Sequence, residues 1–183
     1  MKPRMGMSYS VAIGLGCVVG AAACSGGAAF RGNGVVTDHG RVAFPRYEIA
    51  MRPQISLART QTYTFEFSGM PRDRMDFGFR PTSKVTERDV RSQSVVLRSA
   101  LRQADTGKVI GGCAIGTKTD EITVGGNRNT GEVLHVWSPS CVGVRLDPSK
   151  TYSLTVAVEV PPGSEHQEFE VEAIFRGGGI ELP

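Results

Sequence analysis

Tryptophan occurs once in this chain, histidine three times, and no apolar run is long enough to cross a bilayer. A helix through roughly 30 Å of hydrocarbon needs about 20 apolar residues, and the longest run here, from Val11, has about thirteen. His39, His135 and His166 lie far apart, which argues against a close-spaced metal cage and against an easily assembled Ser/His/Asp site. Nucleophile elbow, H-E-x-x-H, P-loop and G-x-G-x-x-G patterns are all missing. Asp73 and Asp76 are too few carboxylates for a calcium loop. A blue-copper site built on Cys141 and His166 would strand Cys113 and lacks the local cysteine–histidine spacing. We therefore expect no catalytic residue, no metal site and no cofactor.

An excess of either charge is also missing. The chain has 21 basic and 18 acidic residues, and removing residues 1–23 takes away Lys2 and Arg4, leaving 19 against 18. That balance offers no electrostatic case for nucleic acid or for an anionic membrane surface. The stretch from Arg72 to Arg91 is basic only until Asp73, Asp76, Glu87 and Asp89 are counted with it.

What is present begins with an address. Lys2 and Arg4 precede the apolar run, which ends in Ala21-Ala22-Ala23-Cys24. A basic head, a short apolar segment and small residues at a cut site describe a secretory signal. The four residues before and including Cys24 resemble the lipobox of bacterial lipoproteins, with Ala21 where that family favours Leu. The resemblance implies a signal peptide over 1–23, acylation of Cys24 with diacylglycerol and palmitate, and retention at the cell membrane. Ser25 implies the periplasmic face of the outer membrane if the cell is Gram-negative. The alternative is a secreted protein cut at the same bond and left unacylated.

Four cysteines are present. With Cys17 discarded and Cys24 acylated, Cys113 and Cys141 remain, and an oxidising compartment is expected to join them. A disulfide there would constrain the unfolded chain by roughly 3–4 kcal/mol.

Residues 24–40 are rich in glycine and small side chains and read as a flexible tether, followed by one domain over 41–183. Within the domain the apolar residues alternate. Tyr47, Ile49 and Met51 form one run that Pro53 stops, which suits an edge strand. Tyr63, Phe65 and Phe67 form a second, and Met75, Phe77 and Phe79 a third. Residues 81–93 read as a loop or short helical turn. Residues 94–105 fit helix or strand, and Asp105-Thr106-Gly107 favours a strand in a hairpin. Short strands are expected at Ile122–Val124 and Val133–Trp137. Tyr152, Leu154, Val156 and Val158, then Phe169, Val171, Ala173 and Phe175, read as a hairpin across Pro161-Pro162-Gly163, with Glu168, Glu170 and Glu172 on its wet face. About eight strands with few helical patterns imply an all-β antiparallel β-sandwich.

Leu146-Asp147-Pro148-Ser149-Lys150-Thr151-Tyr152-Ser153-Leu154 resembles the tyrosine corner of fibronectin type III and immunoglobulin-like domains. That resemblance implies that the Tyr152 hydroxyl bonds to backbone a few residues upstream, with Leu146 and Pro148 shaping the turn. As a whole the chain resembles small bacterial lipoproteins carrying one immunoglobulin-like or transthyretin-like sandwich. Such proteins imply a non-enzymatic interaction module with a membrane anchor and a protein partner. An inhibitor or immunity-type lipoprotein is the alternative, and a small-ligand-binding sandwich a further one. Loops 69–74, 81–93 and 125–131 are where an inhibitor should protrude, whereas a scaffold should offer a broad patch or an open sheet edge.

Overall fold

The structure, a computed structural model, describes residues 30–39, 47–72, 74–92, 94–116, 123–127, 129–130, 132–137, 143–163 and 169–177. In chain order its elements are β1 (Arg31–Gly32), β2 (Gly34–Asp38), β3 (Tyr47–Met51), β4 (Ile55–Ser56), β5 (Gln61–Ser68), β6 (Arg74–Pro81), α1 (Glu87–Ser92), β7 (Val96–Gln103), β8 (Val109–Gly116), β9 (Thr123–Asn127), β10 (Glu132–Trp137), β11 (Val144–Arg145), β12 (Thr151–Glu159) and β13 (Glu170–Gly177). They form two antiparallel sheets. The smaller has the order β1-β5-β12-β7-β8. The larger runs β2-β3-β13-β6-β10-β9, with β11 pairing β6 and β4 pairing β13. This is an all-β sandwich.

The alternation explains the layers. Phe65 and Phe67 of β5, Tyr152, Leu154, Val156 and Val158 of β12, and Leu97 and Leu101 of β7 are buried on the inner side of the smaller sheet. Ile49 and Met51 of β3, Phe77 and Phe79 of β6, and Val171, Ala173 and Phe175 of β13 face them from the larger one. Phe175 sits at the junction, its ring 5.4 Å from Phe67 and 5.2 Å from Phe77. Within 94–105, Val96–Gln103 is strand, as the turn suggested: β7 and β8 pair around Asp105-Thr106-Gly107. Among the described residues the one helix, α1, lies within 81–93. Thr86 and Asp89 cap it reciprocally, the Thr86 amide donating to Asp89 Oδ2 over 2.7 Å and the Asp89 amide to Thr86 Oγ1 over 3.2 Å.

Four expectations need correction. Part of the expected tether over 24–40 is strand: Arg31–Gly32 pairs with β5, and Gly34–Asp38 pairs with β3. The domain therefore begins before residue 41. Small residues let this segment lie close against its neighbours, and Phe30 stacks on Phe67 at 6.5 Å. Because β2 takes the outside position, Tyr47–Met51 is an interior strand between β2 and β13 rather than an edge.

Tyr152–Glu159 and Glu170–Gly177 are not a hairpin. β12 already has β5 and β7 on its two sides, so the chain crosses over and β13 enters the other sheet between β3 and β6. An immunoglobulin-type order, which places the last two strands side by side, is therefore not the order found. Alternation specifies which face is buried, and it is silent on which sheet receives the strand. Lastly, Glu172 is buried, at 5% exposure, although Glu170 is exposed; Glu168 lies outside the described residues.

Candidate functional site

The open edge of the smaller sheet is β8, whose sequence Val-Ile-Gly-Gly-Cys-Ala-Ile-Gly carries neither charge nor proline. Among the described residues no strand pairs with its outer side. Natural edge strands are commonly blunted by lysine, proline or short length. The other described edges are shorter: two residues in β1 and five each in β2 and β9, against eight in β8. Ile115 packs inward, whereas Gly112 and Ala114 are exposed. Gly112 is required by its neighbour, because a Cβ there would sit 2.6 Å from the Ser99 carbonyl oxygen. The register with β7 is regular from Gly111 to Gly116 and shifts between Gly111 and Val109.

A second feature is a chain of alternating charges on the outward side of the larger sheet. Register places Glu172 of β13 opposite Arg80 of β6. Arg80 donates to Glu172 Oε2 through Nε at 3.0 Å and through Nη2 at 2.5 Å, and through Nη1 to Glu48 of β3. Arg52, just beyond β3, donates to the other Glu172 oxygen. Arg176 Nε lies 3.6 Å from Glu48 Oε2 and is buried without a hydrogen-bond acceptor. Ile174 and Ala50 share this outward side yet are buried, consistent with long arginine stems lying over them.

Burial pushes the Glu172 carboxyl up, but hydrogen bonds from Arg80 and Arg52 outweigh it and hold the group below the usual carboxylate range. Burial likewise opposes the charge of Arg80, and the two glutamates raise its pKa on balance. Both groups are therefore charged at neutral pH. A carboxylate whose two oxygens are occupied and whose pKa is low is a poor general base; this cluster is suited to holding β3, β13 and β6 together.

His135 of β10 is half-buried and lies against Gly125 of β9, where a Cβ would collide with its ring. Burial, reinforced by the charge of Arg176, lowers its pKa to about 4. The imidazole is neutral at pH 7.

The two sheets leave a cavity of about 20 Å³ between them, lined by Phe77, Ser99, Leu101, Gly111, Cys113 and Val144 among others. That is room for about one water, so this place does not accommodate a substrate. Ser99 Oγ faces the Cys113 sulfur at 3.2 Å.

The residues singled out in the sequence are separated. Cys24 and Cys141 lie outside the described residues. Cys113 is half-buried in β8. Tyr152 is the second residue of β12 and its hydroxyl accepts the Asp147 amide over 2.7 Å, with Leu146 buried and Pro148 half-buried in the turn. Sequence reasoning missed the Arg52–Glu172–Arg80–Glu48 chain. Its members do alternate outward, but only the pairing of β13 with β6 brings them together.

The class that fold and site define is an antiparallel β-sandwich with an uncharged open edge strand and a cross-strand charge lattice. A scan against family models and searches of curated proteins and of solved structures found no match.

Proposed function

We propose that this chain is an extracytoplasmic lipoprotein, anchored through Cys24 after removal of residues 1–23. Its sandwich acts as a non-enzymatic protein-interaction module of the cell envelope, at the periplasmic face of the outer membrane in a Gram-negative cell. The observation that carries the reading is β8. Its edge is long, uncharged and free of proline, the form that accepts an added strand from a partner. Main-chain hydrogen bonds would supply affinity, and the small exposed residues Gly112 and Ala114 would let the partner's side chains lie close to the sheet.

Two further observations support the address. Phe30 to Asp38 is fastened to both sheets only a few residues beyond Cys24, so an anchor there would hold the whole domain. Cys113 is disulfide-bonded, as suits an oxidising compartment. We assign its partner as Cys141, the other cysteine left once Cys17 and Cys24 are accounted for.

The test is a photocrosslinking amino acid placed at Ala114 in the full-length protein in its own cells, with Glu66 of β5 as the control position. A discrete adduct from position 114, absent from position 66 and lost when Val109→Lys charges the edge at an exposed position of β8, supports the reading. Identical patterns at the two positions would overturn it. Intact mass of the purified protein checks the anchor at Cys24, and alkylation without reductant should find no thiol at Cys113 or Cys141.

A further inference from the structure

The main chain of β8 is presented to two sides. Across the β7–β8 turn the Gln103 amide donates to the Lys108 carbonyl, so Leu101, Ser99 and Leu97 also turn their main-chain groups toward β8. Their cross-strand partners are Gly111, Cys113 and Ile115. Alternation along the strand then directs the amide and carbonyl of Gly112 and of Ala114 to the open side. Each of these two residues offers one donor and one acceptor to an incoming strand.

The chemistry of that edge matches itself. An antiparallel strand turned about a two-fold axis meets an identical array of donors and acceptors, and two-fold contacts are the commonest form of self-association. Edge strands that must not join their own copies carry charges, which repel when the edges meet. β8 carries none. Large apolar side chains are exposed at Val35, Val109 and Leu134 among the described residues, and Val109 stands on this strand.

The neighbouring strand fits the same arrangement. A two-fold axis beside Cys113 lays the regular stretch Gly111–Ile115 against the same residues of a second copy. Gly112 then exchanges main-chain hydrogen bonds with Ala114 of the second copy, and Ala114 with its Gly112. On the outward face the row across the join reads Arg98, Ala114, then Gly112 and Ala100 of the second copy. Each Arg98 meets small neutral residues instead of its own copy, and it is already paired with Glu159 at 2.7 Å. Like charges, which destabilise a sheet when directly opposed, are therefore not opposed at the join. Gly112 and Ala114 are small and exposed, so two such edges can approach to the ordinary strand spacing of about 4.8 Å.

We propose that β8 pairs antiparallel with β8 of a second copy of this chain, joining two five-stranded sheets into one of ten strands. The inference rests on the reading of β8 as the site of strand addition, and it names the added strand as the chain's own. A few main-chain hydrogen bonds with little side-chain area make a weak contact between freely diffusing molecules. Anchors at Cys24 would hold both copies in one bilayer, where the higher effective concentration favours pairing.

The test measures the mass of the purified full-length protein by sedimentation equilibrium in density-matched detergent. Wild type is expected to pass from one chain to two as its concentration in the micelles rises. Ala114→Lys and Ala114→Glu each bring two like charges beside the axis and should weaken pairing about tenfold or more. Their melting temperatures should stay near wild type, because Ala114 is exposed. Mixed in equal amounts, the two variants set lysine beside glutamate and should regain dimers. Wild type that remains a single chain overturns the proposal. So do dimers that persist undiminished in both variants, or folded variants whose mixture stays monomeric.

Photocrosslinking from position 114 in cells separates this inference from the reading beneath it. An adduct of twice the chain's mass supports both. An adduct with a different protein keeps β8 as an interaction edge and overturns self-pairing. A pattern identical to that from position 66 overturns both.

Discussion

The backbone amide of Asp147 donates to the hydroxyl of Tyr152 over 2.7 Å, closing a six-residue turn that leads into β12. The bond lies where the chain passes from β11 in the larger sheet to β12 in the smaller, so it pins a crossover rather than a strand. Tyr152 is also packed against Phe67, ring centres 6.0 Å apart, which leaves its hydroxyl little freedom to leave the amide. Removing that hydroxyl would leave the Asp147 amide without its acceptor. We expect Tyr152→Phe to destabilise the domain by about 1–3 kcal/mol, measured by urea unfolding. A change below a few tenths would mean that water satisfies the amide equally well.

Phe175 is fully buried between Phe67 and Phe77 at the meeting of the two sheets. Truncating it opens a cavity that strands on both sides are too tightly paired to close. Phe175→Ala is expected to cost about 3–5 kcal/mol. Phe175→Leu, which retains most of the volume, should cost clearly less, and equal losses from the two would point to something other than packing.

Glu172 holds Arg52 and Arg80 at once. Its carboxyl is held below the ordinary value, so the unfolded chain takes up its proton first as pH falls. The stabilisation is complete above the ordinary value of about 4.5 and is lost as pH drops through the lowered folded value. Glu172→Gln should cost about 1–3 kcal/mol at neutral pH, an allowance for the partial exposure of both arginines. The gap from wild type should shrink in acid. A gap that does not depend on pH would assign the loss to shape rather than charge.

His135 works in a neighbouring window. Its ordinary value is 6.5 and its folded value about 4. On acidification the unfolded chain binds this proton first, so stability declines between those two values and not further below them. The ring is partly in contact with solvent, which reduces the effect to the order of 1–2 kcal/mol. His135→Gln should flatten the pH dependence of unfolding in that interval. An unchanged slope would place the titration elsewhere.

Much of the architecture was legible residue by residue. Tyr63–Phe67, Met75–Phe79 and Tyr152–Val158 alternate, and each became a strand with those residues inward, because a pleated strand on a core admits only one parity. The chain Arg52–Glu172–Arg80–Glu48 was not legible. Its bonded partners are 32 to 120 positions apart in sequence, and nothing local distinguishes Glu172 from the exposed Glu170. The β1–β2 segment was hidden for another reason: glycine and small residues weaken any periodic signal, and its strand form depends on the neighbours that it joins.

Sequence alone determined the all-β class, the inward faces of β5, β6 and β12, and most of the places where the chain turns. Those properties follow from side-chain size and polarity at a period of two, which are carried by adjacent residues. The allocation of strands to sheets was decided by the tertiary structure. It put β12 and β13 in different layers, left β8 with an open edge, buried Glu172 and set Arg74 beside Arg145. Each of these depends on which distant segment supplies the next backbone hydrogen bonds, and the backbone is chemically the same in every strand that could have supplied them.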